Sequence, residues 1–266
     1  MSKEEKNKTN GLDLAVIADD AKTMSGFGSL NIARDTAIPY ISILQTSSPQ
    51  VNPSKAEHIE TAKAGQLFNT VTQETFDSIE VIPVFYTLKY VEWKPREQGG
   101  GFIASHDADS GILGQTTRDP MSGKQVLPNG NNIVQTAYHY VLILNDSGYQ
   151  NAVISMSSSQ LKKSRRWNSL MLSQKIKGPS GMFTPPTYAF TYKLSTVSES
   201  NDRGSWFGFQ IEKGEQVGDP TLYNEGKAFA QSASSGAIDA KPEEPKLIQS
   251  SEVKPETKEN SEDIPF

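Results

Sequence analysis

Residues 79–93 (IEVIPVFYTLKYVEW) form the longest strand pattern in the chain, and in its first half apolar residues occupy both alternating faces. A strand patterned this way is covered on both sides, so the fold must supply packing above and below a sheet. Toward its end the pattern turns polar and basic. Lys89, Tyr90, Trp93, Lys94 and Arg96 lead into Gly99-Gly100-Gly101-Phe102, a flexible loop with an aromatic residue on its far side. Such a loop is either a mobile hairpin at a strand end or a base-stacking loop.

The segments around this strand limit the topology. Residues 38–45 (IPYISILQ) and 66–72 read as strands, and 107–132, with SGILGQ, DPMSGK and PNGNN, reads as a turn-rich excursion outside the core. Residues 133–145 and 151–156 are strands joined by the hairpin signal Asp146-Ser147-Gly148. A helix follows, capped by Ser157 or Ser158, beginning at Gln160 or Leu161 and ended by Gly178-Pro179. Two more strands come next. Residues 187–197 place Tyr188, Phe190, Tyr192 and Leu194 on one face, and 205–212 place Phe207, Phe209 and Ile211 on one face with Trp206 on the other. A last short helix spans 220–231. Long strand, hairpin strands, helix, two strands is the order of an OB-fold, a small Greek-key barrel that commonly binds oligonucleotides. The expected class is therefore mainly β: an elaborated OB-fold-like Greek-key barrel with one or two helices. Residues 1–35 read as a flexible N-terminal segment with a short helix over 12–21, 36–233 as the OB-like domain, and 234–266 as a disordered acidic tail.

Charge points to the same function class. From 147 to 198 the chain has no Asp or Glu, yet carries Lys162, Lys163, Arg165, Arg166, Lys175, Lys177 and Lys193, interleaved with Tyr149, Trp167, Phe183, Tyr188, Phe190 and Tyr192. Cations alternating with flat rings are what a single-stranded nucleic acid can be held by. On the helix, Lys162, Lys163, Arg165 and Arg166 share one side, while Leu161, Trp167, Met171 and Leu172 fall on the other. The formal net charge of −5 argues against bulk attraction to DNA, but residues 236–266 hold eight acids against four lysines. The body is thus close to neutral with a basic sector. The expected DNA contacts are Trp93, Lys94, Arg96, Phe102, Lys162, Lys163, Arg165, Arg166, Lys175, Lys177, Tyr188, Tyr192 and Trp206. Trp93 and Trp206 rank first for stacking, and Trp167 is expected in the core.

Catalytic constellations are scarce. His106-Asp107-Ala108-Asp109-Ser110-Gly111 opens like a calcium loop, but Arg118 stands where the bidentate Glu is needed, and the segment reads as a turn. The three histidines, His58, His106 and His139, have no ligand spacing, and His139 between two tyrosines reads as a core or barrel-wall residue. Ser122-Gly123-Lys124 lacks the rest of a phosphate loop. No cofactor, metal or membrane span is expected, and with no cysteine the natural setting is a reducing cytoplasm.

The chain ends Glu262-Asp263-Ile264-Pro265-Phe266, acids followed by an apolar tip. This resembles the bacterial single-stranded DNA-binding protein family, and Asp263, Ile264, Pro265 and Phe266 match its terminal motif position by position. The resemblance implies a tail that docks on replication and repair proteins. IPYISILQ, EWKPREQGGGF and LKKSRRWNSLM look like single-stranded DNA-binding proteins of tailed phages, which implies a viral protein carrying the host's tail code. The expected function is a non-catalytic protein that coats exposed strands in phage replication, recombination or repair and recruits partners through its tip, with homo-oligomers compatible with that role. The alternatives are a strand-annealing recombination protein, a metal-dependent nuclease using His106, Asp107 and Asp109, and a β-rich virion component.

Overall fold

The computed structural model describes residues 16, 17, 19, 37–146, 148–202, 204–238 and 240. The chain divides at Ala37/Ile38 into two units. In the first, Val16, Ile17 and Asp19 have helical backbone. The tail and its tip, Asp263 to Phe266, lie outside the described residues, as does most of the 1–35 segment.

The second unit opens with a small antiparallel sheet of β1 (Ile41–Ile43), β2 (Leu67–Asn69) and β3 (Thr75–Phe76). The main strand, β4 (Ser78–Trp93), bends at an irregularity between Pro83 and Phe85, where proline, which cannot donate to a ladder, is tolerated. The excursion after it holds β5 (Phe102–Asp107), β6 (Thr117–Arg118) and β7 (Gln125–Val126). Then come β8 (Asn132–Asn145) and β9 (Gly148–Ser157), paired as a hairpin. Helix α1 (Leu161–Ser173) leads to a small hairpin, β10 (Ile176–Gly178) and β11 (Gly181–Phe183), and to the long hairpin β12 (Phe190–Asn201) and β13 (Gly204–Gln216). Helix α2 (Pro220–Ser234) follows, with Asp219 accepting the Thr221 N–H at 2.7 Å and proline at its first turn.

Main-sheet neighbours run β13-β12-β4-β8-β9, with β5 against the far half of β4 and β7-β6 against the start of β8. This is the strand order of an OB barrel opened between its third and fifth strands, and the sheet is a curled half-barrel. Its inner face buries Ile79, Val81, Val141, Ile143, Met156, Tyr192, Leu194 and Phe209, plugged by Trp167 and Met171 of α1. The outer face of β4 and β8 buries Ile82, Val84, Tyr138, Tyr140 and Leu142 under Phe229 and Ala233 of α2. Both faces of β4 are thus covered, as its sequence requires.

The seam between β9 and β13 is closed without a continuous ladder. The Val153 N–H donates to the Pro39 carbonyl at 2.9 Å. From the same segment the Gln45 side chain takes both backbone groups of Phe207, donating to its carbonyl at 3.0 Å and accepting its N–H at 2.9 Å. The Gln160 carbonyl accepts the Phe209 N–H at 3.0 Å. Two glutamines therefore take up three backbone groups at Phe207 and Phe209 on the edge of β13, which would otherwise lack these partners.

Four local expectations are corrected. A 3-10 turn, Ser158–Gln160, precedes α1, with the Leu161 N–H donating to the Ser158 carbonyl, and no side-chain cap is formed. The helix stops at Ser173, and Gly178-Pro179 belongs to the β10–β11 turn. Its buried stripe is Ser164, Trp167 and Met171, so Leu172, a further 100° round, is exposed. Tyr188 lies in a turn ahead of β12 and packs on Tyr223 of α2, not on the face shared by Phe190, Tyr192 and Leu194.

Candidate nucleic-acid interface

The buried stripe of α1 fixes what the opposite side can do. Trp167 is fully enclosed, stacks on His139 with centroids 4.5 Å apart, and is edge-on to Tyr192. With that face locked into the barrel, Lys162, Arg165 and Arg166 point to solvent and Lys163 lies along the rim. Beyond the helix, exposed Lys175 hydrogen-bonds the Thr184 hydroxyl, and Lys177 lies on β10 in the hairpin that bears exposed Met182 and Phe183. The six cations thus follow one another along consecutive elements, with Leu172, Met182 and Phe183 exposed among them.

Between α1 and the β12–β13 hairpin runs a cleft of 320 Å³ lined by Lys163, Arg166, Val197, Phe209, Gln210, Ile211 and Glu212. Its polar groups sit beside apolar walls, the combination that phosphates and bases require together. Lys163 is not free. Its ammonium lies 2.5 Å from the Glu199 carboxylate, whose other oxygen accepts the Trp206 indole N–H at 2.9 Å. The run without acids is therefore not without acids in space: Glu199 and Glu212 border it. Lys193 likewise stands opposite Glu80 on one side and Glu212 on the other.

A second basic and aromatic group lies at the far end of β4. Lys94 and Arg96 are exposed, and Phe102 is 45% exposed with its ring edge-on to Trp93 at 5.9 Å. The three glycines between them all have positive φ, a turn that L side chains resist.

Two expected stacking residues are corrected. Trp93 is 6% exposed and belongs to the outer core, where its indole N–H has no partner among the described residues. Tyr192 is 1% exposed, and burial pushes its hydroxyl up to about 12. Neither ring can be reached by a base. Tyr188 is half-buried against α2, with its hydroxyl pushed up by burial and by Tyr223. Of the aromatic residues expected to touch DNA, Phe102 is exposed and Trp206 is half-buried beside the cleft. Helix α2 also covers the outer face of β4 and β8, half of the strand surface an OB-fold commonly offers to oligonucleotides. This leaves α1 and the β12–β13 hairpin as the larger open basic surface.

One cluster carried no legible motif. Glu92, 7% exposed, meets His106 Nε2 at 3.0 Å, Asn131 Nδ2 at 2.6 Å and Asn129 Nδ2 at 3.4 Å. Burial works to raise its carboxyl, but the bonds from Asn131, His106 and Asn129 prevail and hold it below the ordinary range. This ties the excursion to the end of β4. Asp107, the neighbour of His106, turns instead to Lys89 at 2.5 Å. Among the described residues no group of three or more His, Cys, Asp or Glu side chains is placed to hold a metal ion.

Residues 7–239 match the family described as Pam3 phage gp34-like protein. The chain belongs to that family. It is accordingly a phage protein. No curated protein and no solved structure matches it. Among the described residues no helix is long and apolar enough to cross a membrane.

Proposed function

We propose that this phage protein binds single-stranded DNA without catalysis, coating exposed strands during replication, recombination or repair in the host cytoplasm. The observation that carries the reading is the cleft between α1 and the β12–β13 hairpin, which sets Lys163 and Arg166 beside Val197, Phe209 and Ile211 on a barrel of OB strand order. Lys162, Arg165, Lys175 and Lys177 extend the basic surface along the strand's path. Lys94, Arg96 and Phe102 offer a second contact. The acidic terminus, through Asp263, Ile264, Pro265 and Phe266, recruits replication or recombination proteins by presenting an apolar tip and a carboxylate to a pocket flanked by a basic side chain.

Backbone-driven binding has a measurable signature. Affinity for an oligo-dT falls with salt with a slope of roughly −0.7 for each phosphate contacted. An affinity unchanged between low and high salt contradicts the reading.

A further inference from the structure

Glu199 is the first acid after the long run without acids, and its surroundings form a receptor for an anion. One oxygen is 2.5 Å from Lys163 Nζ and the other accepts the Trp206 indole N–H at 2.9 Å. The carboxylate lies across Gly208: a Cβ there would come within 2.5 Å of the oxygen that Trp206 holds, and within 3.0 Å of the Gln160 amide nitrogen. Glu199 and Trp206 are direct partners in the β12–β13 register, and Gln160 is held by the Phe209 N–H. Two elements, α1 with the ammonium and β13 with the indole N–H and a side-chain-free floor, thus converge on one point. It borders the cleft that Lys163 and Arg166 line. Both Glu199 and Lys163 keep 25% of their side chains exposed, so the pair can be opened from solvent.

We infer that this is an anion site which the chain fills with its own carboxylate, and that a phosphate of the bound strand displaces Glu199 from Lys163 and Trp206. The inference rests on the single-strand reading and names what regulates that same surface. Glu199 then acts as a stand-in for phosphate that weakens binding and returns when the strand leaves. A phosphate supplies the same acceptor oxygens as a carboxylate, and Lys163 gains a partner whose charge is otherwise neutralised by counterions.

The test is Glu199→Gln. The amide oxygen still accepts the indole N–H, but the competitor for Lys163 is gone. Removing one partly exposed ion pair should tighten oligo-dT binding roughly fivefold at low salt and steepen the salt slope by about 0.7. Glu199→Gln on a Lys163→Ala background should bind like Lys163→Ala alone, since Glu199 acts through Lys163. In parallel, the Trp206 indole N–H resonance of the wild-type protein, assigned by its loss in Trp206→Phe, should shift when the oligonucleotide is added. That measurement stands even if the Gln variant does not fold. A wild type that fails to bind oligo-dT overturns the functional reading itself. A wild type that binds, with an unmoved Trp206 resonance or a folded Gln variant of equal or weaker affinity, overturns the inference alone.

Discussion

His139 makes the stability of this barrel depend on pH in a window that few other groups reach. The imidazole is enclosed, 2.8 Å from the Ser164 hydroxyl through Nε2 and stacked on Trp167, and its Nδ1 has no partner among the described residues. A protonated ring needs an acceptor at both nitrogens and there is none at Nδ1; burial holds the group down at about 3, against 6.5 in an open chain. The sign follows from which state takes up the proton. Below pH 6.5 the unfolded chain binds it and the folded chain does not, so stability is full above 6.5 and falls as pH drops toward 3. The loss is on the order of 1 kcal/mol at pH 5.5 and a few kcal/mol at pH 4.5, a sizeable part of the ~5–15 kcal/mol typical of a folded domain. Urea midpoints measured between pH 7.5 and 5 should fall steadily for the wild type. The slope should flatten in His139→Gln, even though that variant starts less stable. The interval stops at 5 because Glu92 and Asp107, both held below their ordinary range, begin to lose their contribution only in more acid solution. Identical slopes for wild type and variant would refute the argument.

The remaining expectations concern binding and packing. Replacing Lys162, Lys163, Arg165 and Arg166 together by Ala should flatten the salt slope by at most about 2.8, four contacts at 0.7 each, with a melting temperature little changed, because three of the charges are exposed and the partly exposed Lys163–Glu199 pair contributes at most about 1 kcal/mol. Trp167→Ala should do the reverse, costing about 3–5 kcal/mol of stability in a denaturant titration because the fully buried ring leaves a cavity. Deleting residues 259–266 should tighten DNA binding modestly at low salt, since a tethered polyanion competes for the basic surface, and abolish recovery of replication partners from infected-cell extract. Phe266→Ala should abolish only the partner recovery, and equal recovery by wild type and variant would mark the tail as inert.

Much of the barrel was legible because its residues carry the period of their own element. β4, the β8–β9 hairpin and the two faces of α1 each announce themselves within a dozen or so residues. What escaped lies between elements. Glu199 sits one position beyond the run without acids, and β12 carries it back across the helix to Lys163. Glu92 meets Asn131 from 39 residues away, so no local pattern could join them. The seam is held by Gln45 and Gln160, residues whose amides have no preferred place in any strand pattern. Trp93 looked like a stacking residue because the chain turns basic around it, but the alternation of β4 places it with Val91 on the face that the outer core buries. Residues 220–231 read as a short helix, but nothing local in them tells that α2 packs on the strand face an OB-fold commonly leaves open.

The central claim is tested most directly by anisotropy titration of a labelled oligo-dT and of a duplex of equal length at one fixed salt concentration. The single strand should bind saturably and the duplex far more weakly, because a rigid stacked helix can offer phosphates to α1 but no splayed base to Phe102, Trp206 or the apolar wall of the cleft. Equal affinity for the two, or no binding to either, would contradict it.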